Sequence, residues 1–317
     1  MSKRNKRRHS PFQPPKPKPE IGPNPPSLNL DFMNAATVVV PDWSSVQFIL
    51  AGCGGIGGYV APHLGRLMRV LYDNGKAAQL TLVDPDIVEE KNIGRQNFCD
   101  AEIGQPKALA LARRYAPAWG LNTAVFQSEF DESHMFGGSD LIVVIGCVDN
   151  ARARATLNDT LGHNPEELSM GMPRVWWLDC GNLKDTGRVM LGSALTVDQC
   201  EGAFVAPGKV AALPSPVLQY PSLLIPGRDE VQDREMSCAE LQAANLQSLN
   251  INPAVAWMAN NMLTRLLVTN DLKVYQSVAN LASVTVKSFY CTPEEIAREL
   301  GRSVEFVTGY ERTEAAA

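Results

Sequence analysis

The chain has 317 residues, 45% of them hydrophobic and 20% charged, with a formal net charge of −5. That length buries a sizeable core without disulfide or metal staples, and no apolar run nears the roughly 20 residues that span a bilayer. Seven cysteines, at 53, 99, 147, 180, 200, 238 and 291, include no C-x-x-C pair. Their spacing argues against a disulfide framework or a four-cysteine zinc site, and for a reducing, cytoplasmic setting.

Charge is unevenly placed. The first 20 residues hold seven of the 29 Lys/Arg but one of the 34 Asp/Glu, which leaves 22 basic against 33 acidic residues in the body. The basic start has no apolar segment behind it, so it is not a secretory signal. Eight prolines between positions 11 and 26 favour extended polyproline conformations. Residues 1–27 therefore read as a disordered basic tail, solvated rather than bound to nucleic acid or an acidic partner.

From about Leu28 a folded body is expected. "VQFILAGCGGIGGYVAPHLGRLMRVLY" reads as strand, glycine turn and helix, and "AQLTLVDPD" as a second strand after the Asn74-Gly75 turn. "QPKALALARRYAPAW" has helical spacing behind Pro106, a suitable first-turn residue. "TAVFQSEF", "DLIVVIGCVDN" and "PRVWWLDCGN" read as further strands, with a helix at "ARARATLNDTL". Strands alternating with helices imply a doubly wound, mostly parallel α/β sheet. Ligands bind such sheets outside the carboxyl ends of the strands, so Gly54, Asp84, Asp149 and Asp179 should converge on one crevice.

After Gly181 the rhythm changes. "GRVMLGSAL" and "ASVTVKSFYC" look like antiparallel strands, separated by a Pro/Gly-rich crossover at roughly 200–237. Loops of that length are often lids or binding segments. A helix from about Cys238 to Leu249 and a second at "PAVAWMANNMLTRLLV" follow, and residues 301–317 read as a tail.

The glycine turn, with Gly52, Gly54, Gly55 and Gly57, lets backbone approach a phosphate at a helix N-terminus. Alone it is shared by many nucleotide enzymes. Asp84, followed by Asp86, ends the second strand and suits ribose hydroxyls, because an ionised carboxylate only accepts hydrogen bonds. Asn92, Arg95, Gln96 and Lys107 cluster downstream. Arg and Lys there neutralise phosphate charge, and Asp149 at a strand end can hold Mg²⁺. Nicotinamide chemistry needs no such cations; nucleotidyl transfer does.

"GCGGIGG", "VDPDIVEEKNIGRQNF", "IGQPKA" and "CVDNARAR" resemble, in order and spacing, the motifs of the ThiF/MoeB/E1 adenylating superfamily over about Val46 to Asn182. The resemblance implies a Rossmann-like ThiF/E1-type domain at 28–300. It implies that the glycine turn, Asp84 and Asp86 meet the nucleoside, and that Asn92, Arg95 and Lys107 bind ATP phosphates with Gln96 in support. Asp149 would bind Mg²⁺, and Arg154 matches the arginine closing the family's D-N-x-x-x-R stretch. It also implies a homodimer and a small ubiquitin-like β-grasp partner ending in glycine.

"REMSCAELQAANLQSLNIN" is similar to the E1 segment in which a catalytic cysteine precedes a helix. Ser237-x-x-Glu240 reads as a capping box with Cys238 in the first turn, where a thiolate is favoured. Cys200 is the next candidate; Cys53, Cys147 and Cys180 sit in or beside buried strands. "GRVMLG", "LPSPVLQYP" and "SCAE" most resemble the ThiF-family proteins of the bacterial PRTRC gene set. The C-x-x-C pairs of MoeB-like members are absent, so no structural zinc is expected, and the N-terminal segment that reaches a partner subunit's ATP has no counterpart.

The expected function is ATP-dependent activation of a protein C-terminus, then thioester formation on Cys238. Adenylation alone with a structural Cys238, a silent scaffold, and a nicotinamide oxidoreductase are the alternatives.

Overall fold

A computed structural model describes residues 30–136, 138–183, 185–226 and 238–309, without the side chains of 238–248. The basic tail, the end of the crossover and the Ser237 cap lie outside the described residues. The elements below all fall in the unit Asp31–Ala317.

A short α1 (Asp31–Asn34) and β1 (Thr37–Val38) precede the first long strand. The apolar runs anticipated from the sequence form β2 (Ser45–Ala51), β3 (Ala77–Val83), β4 (Thr123–Phe126), β5 (Leu141–Gly146) and β6 (Val175–Asn182). They pair in parallel, and β2 lies between β3 and β5. The chain leaves β2 toward β3 on one side and returns as β5 on the other, so the turn after β2 sits at the topological switch point. The sheet is α/β, doubly wound and mostly parallel, with β7 (Thr186–Gly192), β9 (Val274–Asn280) and β10 (Thr285–Tyr290) added antiparallel.

Alternation along β2 divides the core. Phe48 and Leu50 join α2 (Gly55–Asp73), α3 (Lys107–Trp119) and α6 (Cys238–Leu267) in the larger cluster. Ile49 and Ala51 face a smaller one with Leu157 of α4 (Ala151–Asp159) and Trp177. Period-two side-chain direction makes both faces apolar, which buries the strands twice over. No helix among the described residues is long and apolar enough to cross a membrane.

Four expectations change. The two C-terminal helices are one, α6, running through Pro253. An internal proline costs about 3 kcal/mol, and burial of Ile251, Val255, Ala256 and Met258 around it offsets this. The crossover is not an open loop through Ile225: β8 (Lys209–Val210) pairs with β1, and Ala211, Ala212 and Leu213 are fully buried. It continues into α5 (Pro216–Gln219). Small residues allow that approach; a Cβ on Gly192 would lie 2.1 Å from the Pro214 carbonyl oxygen. β9 is an additional strand, whose alternation is obscured by a polar residue, Ser277, on its buried face and an apolar one, Val278, on its half-buried face. Beyond Leu300, the supposed tail folds through α8 (Val304–Thr308) after α7 (Pro293–Leu300). Gly202 and Phe204 donate backbone hydrogen bonds to Phe306 and Val307, and Val307 is fully buried.

Candidate active site

At the carboxyl ends of β2, β3, β5 and β6 lies a cleft of about 1260 Å³. The turn after β2 builds its floor. Gly52 adopts φ +87°, and a Cβ there would meet the Cys147 carbonyl oxygen at 2.6 Å. Gly57 lies so close that a Cβ would stand 1.9 Å from the Gly52 carbonyl oxygen. No side chain caps α2 at Gly54, so its first N–H groups and the helix dipole face an anion site.

Asp84 locks this turn to the end of β3. Its Oδ2 accepts the Cys53 N–H at 2.6 Å and its Oδ1 the Asp86 N–H at 2.8 Å. Burial raises its pKa against those hydrogen bonds and the nearby Lys107. Each oxygen keeps a second acceptor site, so bracing the turn leaves room for a ribose hydroxyl.

The segment after Asp84 is a closed loop. Ile87 bridges to Pro106, Gly104 N–H donates to Val88, and Lys107 N–H donates to Asp86. Lys107, at the start of α3, is 6% exposed, and its Nζ lies 2.7 Å from Asp86 Oδ2. Inside the loop Asn92 differs from expectation. It is buried, its Oδ1 accepts the Glu89 N–H at 2.9 Å, and its carbonyl accepts the Arg95 and Gln96 N–H groups. It is absent from the cleft wall. Asn92 shapes the turn that delivers Arg95 and Gln96, because a short buried carboxamide satisfies local backbone first.

Arg95 and Gln96 both line the cleft. Arg95 Nε and Gln96 Oε1 are buried without a hydrogen-bond partner. An unmet buried polar group costs about 1–3 kcal/mol, so both atoms fit a polar ligand over the glycine turn, and the Arg95 donor fits an anion.

On the opposite wall, Asn150 caps α4 through Ala153 N–H at 2.8 Å, leaving Asp149 exposed at the mouth. Arg154 holds the preceding carbonyl, Val148 O, at 2.7 Å from Nη2 and pairs with Asp179 Oδ1 at 3.3 Å from Nε. It also lines the cleft, so it braces the Asp149 turn from a position open to a ligand. Asp179 is wholly buried and burial raises its pKa, opposed by Arg154 and Arg188. Of the four strand-end residues expected to converge, Gly54, Asp84 and Asp149 line the cleft, while Asp179 lies behind its wall. No group of three or more His, Cys, Asp or Glu among the described residues could cage a metal. A single carboxylate beside a phosphate site still fits Mg²⁺, which takes one or two carboxylates together with substrate phosphates.

Asn252 belongs to no motif. This buried α6 side chain donates to the Arg95 carbonyl at 3.2 Å, accepts from Asn182 Nδ2 at 2.9 Å, and packs where a Cβ on Gly55 would lie 2.8 Å away. Only its position one residue before Pro253 marked it. Arg188 and Tyr220 also line the cleft unannounced.

Cys238 is the first helical residue of α6; its side chain lies outside the described residues. Cys200, the second candidate, does not face the cleft: it is fully buried, and burial pushes its thiol up to about 12, which disfavours the nucleophilic thiolate. Burial also raises the thiols of Cys53 and Cys147 well above their ordinary value.

No curated protein matches the chain. Among solved structures it is similar to PaaA, with a TM-score of 0.49 at 15% identity, covering 78% of this chain and 64% of that one. It is similar to E. coli MccB with ATP, with a TM-score of 0.47 at 13% identity, covering 82% of this chain and 65% of that one. MccB with AMPCPP and MccA gives a TM-score of 0.46 at 14% identity, again covering 82% and 65%. This chain thus spans just under two thirds of the length of those structures. Residues 28–179, which contain the glycine turn, the closed loop and Asp149, match the model of the ThiF family.

Proposed function

We propose that the protein activates a carboxylate by adenylation with Mg-ATP. The observation that carries this reading is the buried, unpartnered Arg95 Nε in a cleft that also holds an uncapped helix N-terminus and the buried Lys107. A carboxylate oxygen attacks the α-phosphorus, the bond from that phosphorus to the bridging oxygen breaks, and pyrophosphate leaves with the electron pair. Arg95 and Lys107 offset the charge on the phosphates, the glycine turn donates backbone N–H groups, and Asp84 orients the ribose. Magnesium, when bound at Asp149, would supply Lewis-acid neutralisation of phosphate charge.

In this reading the substrate is the C-terminus of a small ubiquitin-like β-grasp protein ending in glycine, as the resemblance to the ThiF/MoeB/E1 superfamily implies, and the enzyme works as a homodimer. Cys238, at the N-terminal end of a 30-residue helix, then attacks the acyl carbon; a C–S bond forms and AMP leaves. A helix N-terminus favours the thiolate this needs. ATP–pyrophosphate exchange dependent on such a partner tests the first step, and Lys107→Ala should abolish it; exchange surviving in that variant would refute the phosphate site. A thiol-sensitive adduct lost in Cys238→Ala tests the second, and exchange without an adduct would leave adenylation as the whole reaction.

A further inference from the structure

The cleft has an arm that the proposed nucleotide contacts leave unused. Past the end of β6 it runs between Asn182 and Leu183 on one wall and Tyr220, Leu223 and Ile225 on another. Arg188 stands in it. Along β7, Gly187 faces α6, where a Cβ would lie 2.2 Å from Val255 Cγ2, so alternation turns Arg188 to the other face. Its guanidinium carbon lies 4.2 Å from the centroid of the Tyr220 ring. Hydrogen bonds with Ser222 and the charge and hydrogen bonding of Arg188 lower the pKa of that tyrosine.

Beneath this stack is the wholly buried Asp179, whose Oδ2 has no hydrogen-bond partner. Around Gly181, a Cβ would lie 3.7 Å from Arg154 Nη2, 3.9 Å from Asp179 Oδ2 and 4.0 Å from Arg188 Nε. Two guanidinium groups thus share one buried carboxylate, and Arg154 is the one in direct contact with it. The net local charge is positive, in a partly desolvated setting where it acts strongly on an anion. A guanidinium has five N–H donors, so one that lies over an aromatic ring and bonds a hydroxyl still keeps donors for a planar acceptor, and a carboxylate is the matching shape.

We propose that Arg188 is a substrate-binding residue: it takes the carboxylate to be activated and keeps its remaining oxygen, the acyl carbonyl, once the adenylate has formed, and the arm between β6–β7 and Tyr220 holds the terminal residues of that substrate. The proposal rests on the adenylation reading. It adds the place from which the acceptor approaches the nucleotide. Tyr220 holds the guanidinium from one side, and the charge of Asp179, shared with Arg154, acts on it.

Two probes separate this proposal from the reading beneath it. 5′-O-Sulfamoyladenosine presents the nucleoside and a phosphate mimic. Its N-(acetylglycylglycyl) derivative adds an acyl group like that of an acyl-adenylate. Titration calorimetry on the full chain should show the acyl probe binding about tenfold more tightly than the parent. In Arg188→Ala the parent should bind within about twofold of wild type, which also reports an intact fold, while the acyl advantage is lost. Arg188→Lys, which keeps charge beside Asp179 but lacks the fork, should restore only part of it. An acyl advantage that survives Arg188→Ala overturns the proposal, as does its absence in the wild-type protein while the parent still binds. Failure of both probes to bind would instead sink the nucleotide site, and this proposal with it.

Discussion

The two arms of the cleft are built in different ways. The glycine-turn arm comes from short contiguous stretches: residues 52–57, the loop 84–107 and the turn at 149–154 each carry several of its groups. The β6–β7 arm collects Asn182, Arg188, Tyr220, Asn252 and Gln276 from across nearly 100 positions. In the first arm local backbone geometry places the side chains, so motif and site coincide. In the second, antiparallel pairing and the packing of α6 place them, and no stretch of sequence looks functional alone. Asn252 joins the two, reaching Arg95 on one side and Asn182 on the other.

The comparison can be broken most severely at the glycine turn. Gly57→Ala drives a Cβ to 1.9 Å from backbone that cannot rotate away. It should cost about 3 kcal/mol in urea unfolding and remove nucleotide binding with it. A variant as stable as wild type would mean the turn is looser than its geometry.

Lys107→Ala attacks the same arm without touching its scaffold. Loss of one charge-assisted contact should weaken ATP by about 2 kcal/mol, roughly thirtyfold by calorimetry. Stability should change by less than about 1 kcal/mol, because the Asp86 side chain left behind is 63% exposed. Parallel losses of binding and stability would show that Lys107 serves mainly the loop.

Asn252→Leu tests the joint. The change leaves the Arg95 carbonyl and Asn182 without this partner, and should destabilise the chain by about 1–2 kcal/mol. Both sulfamoyladenosine probes should weaken together. If only one does, the arms are not coupled through this residue.

The smallest effect lies at the far ends of the strands. Asp140 accepts hydrogen bonds from Ser44 N–H, the Ser44 hydroxyl and Ser45 N–H, which hold its carboxyl down to about 2. A folded value below the ordinary one, about 3.9, gives stability that is complete above the unfolded value and lost as pH falls through about 2. Asp140→Asn should therefore show a small stability deficit near pH 6 that narrows as pH falls below about 4. Probe affinities in both arms should stay unchanged, since Asp140 lies at the opposite end of the sheet from the cleft.

What could be read from the residues follows the same division. Apolar runs of strand length at β2, β3, β5 and β6 reported their own burial on both faces, and alternation with helices implied the parallel sheet. Arg95, Gln96, Lys107, Asp84 and Asp149 were identified as cleft candidates because loop contiguity keeps them together. Asn92 reads as a phosphate contact from its motif, whereas in the structure it is buried and its Oδ1 accepts the Glu89 N–H, a local bond that its sequence position does not show. Cys200 read as a candidate because exposure is not written in local sequence; its burial comes from long-range packing of the crossover. β9 hid because its buried face carries the polar Ser277 and its half-buried face the apolar Val278, and α6 read as two helices because a proline normally ends one.

The sequence by itself determined the doubly wound parallel half, its switch-point glycine turn and the cationic loop beside it. In each of these, hydrophobic period and turn chemistry act over a few residues. Only the tertiary structure decided that the crossover folds into the core, that α6 sends Asn252 to both arms, and that Arg188 meets Tyr220 in the cleft. Those contacts join residues far apart in the chain. They exist because burying α6 and the antiparallel strands against the sheet stabilises the chain more than any local preference opposes it.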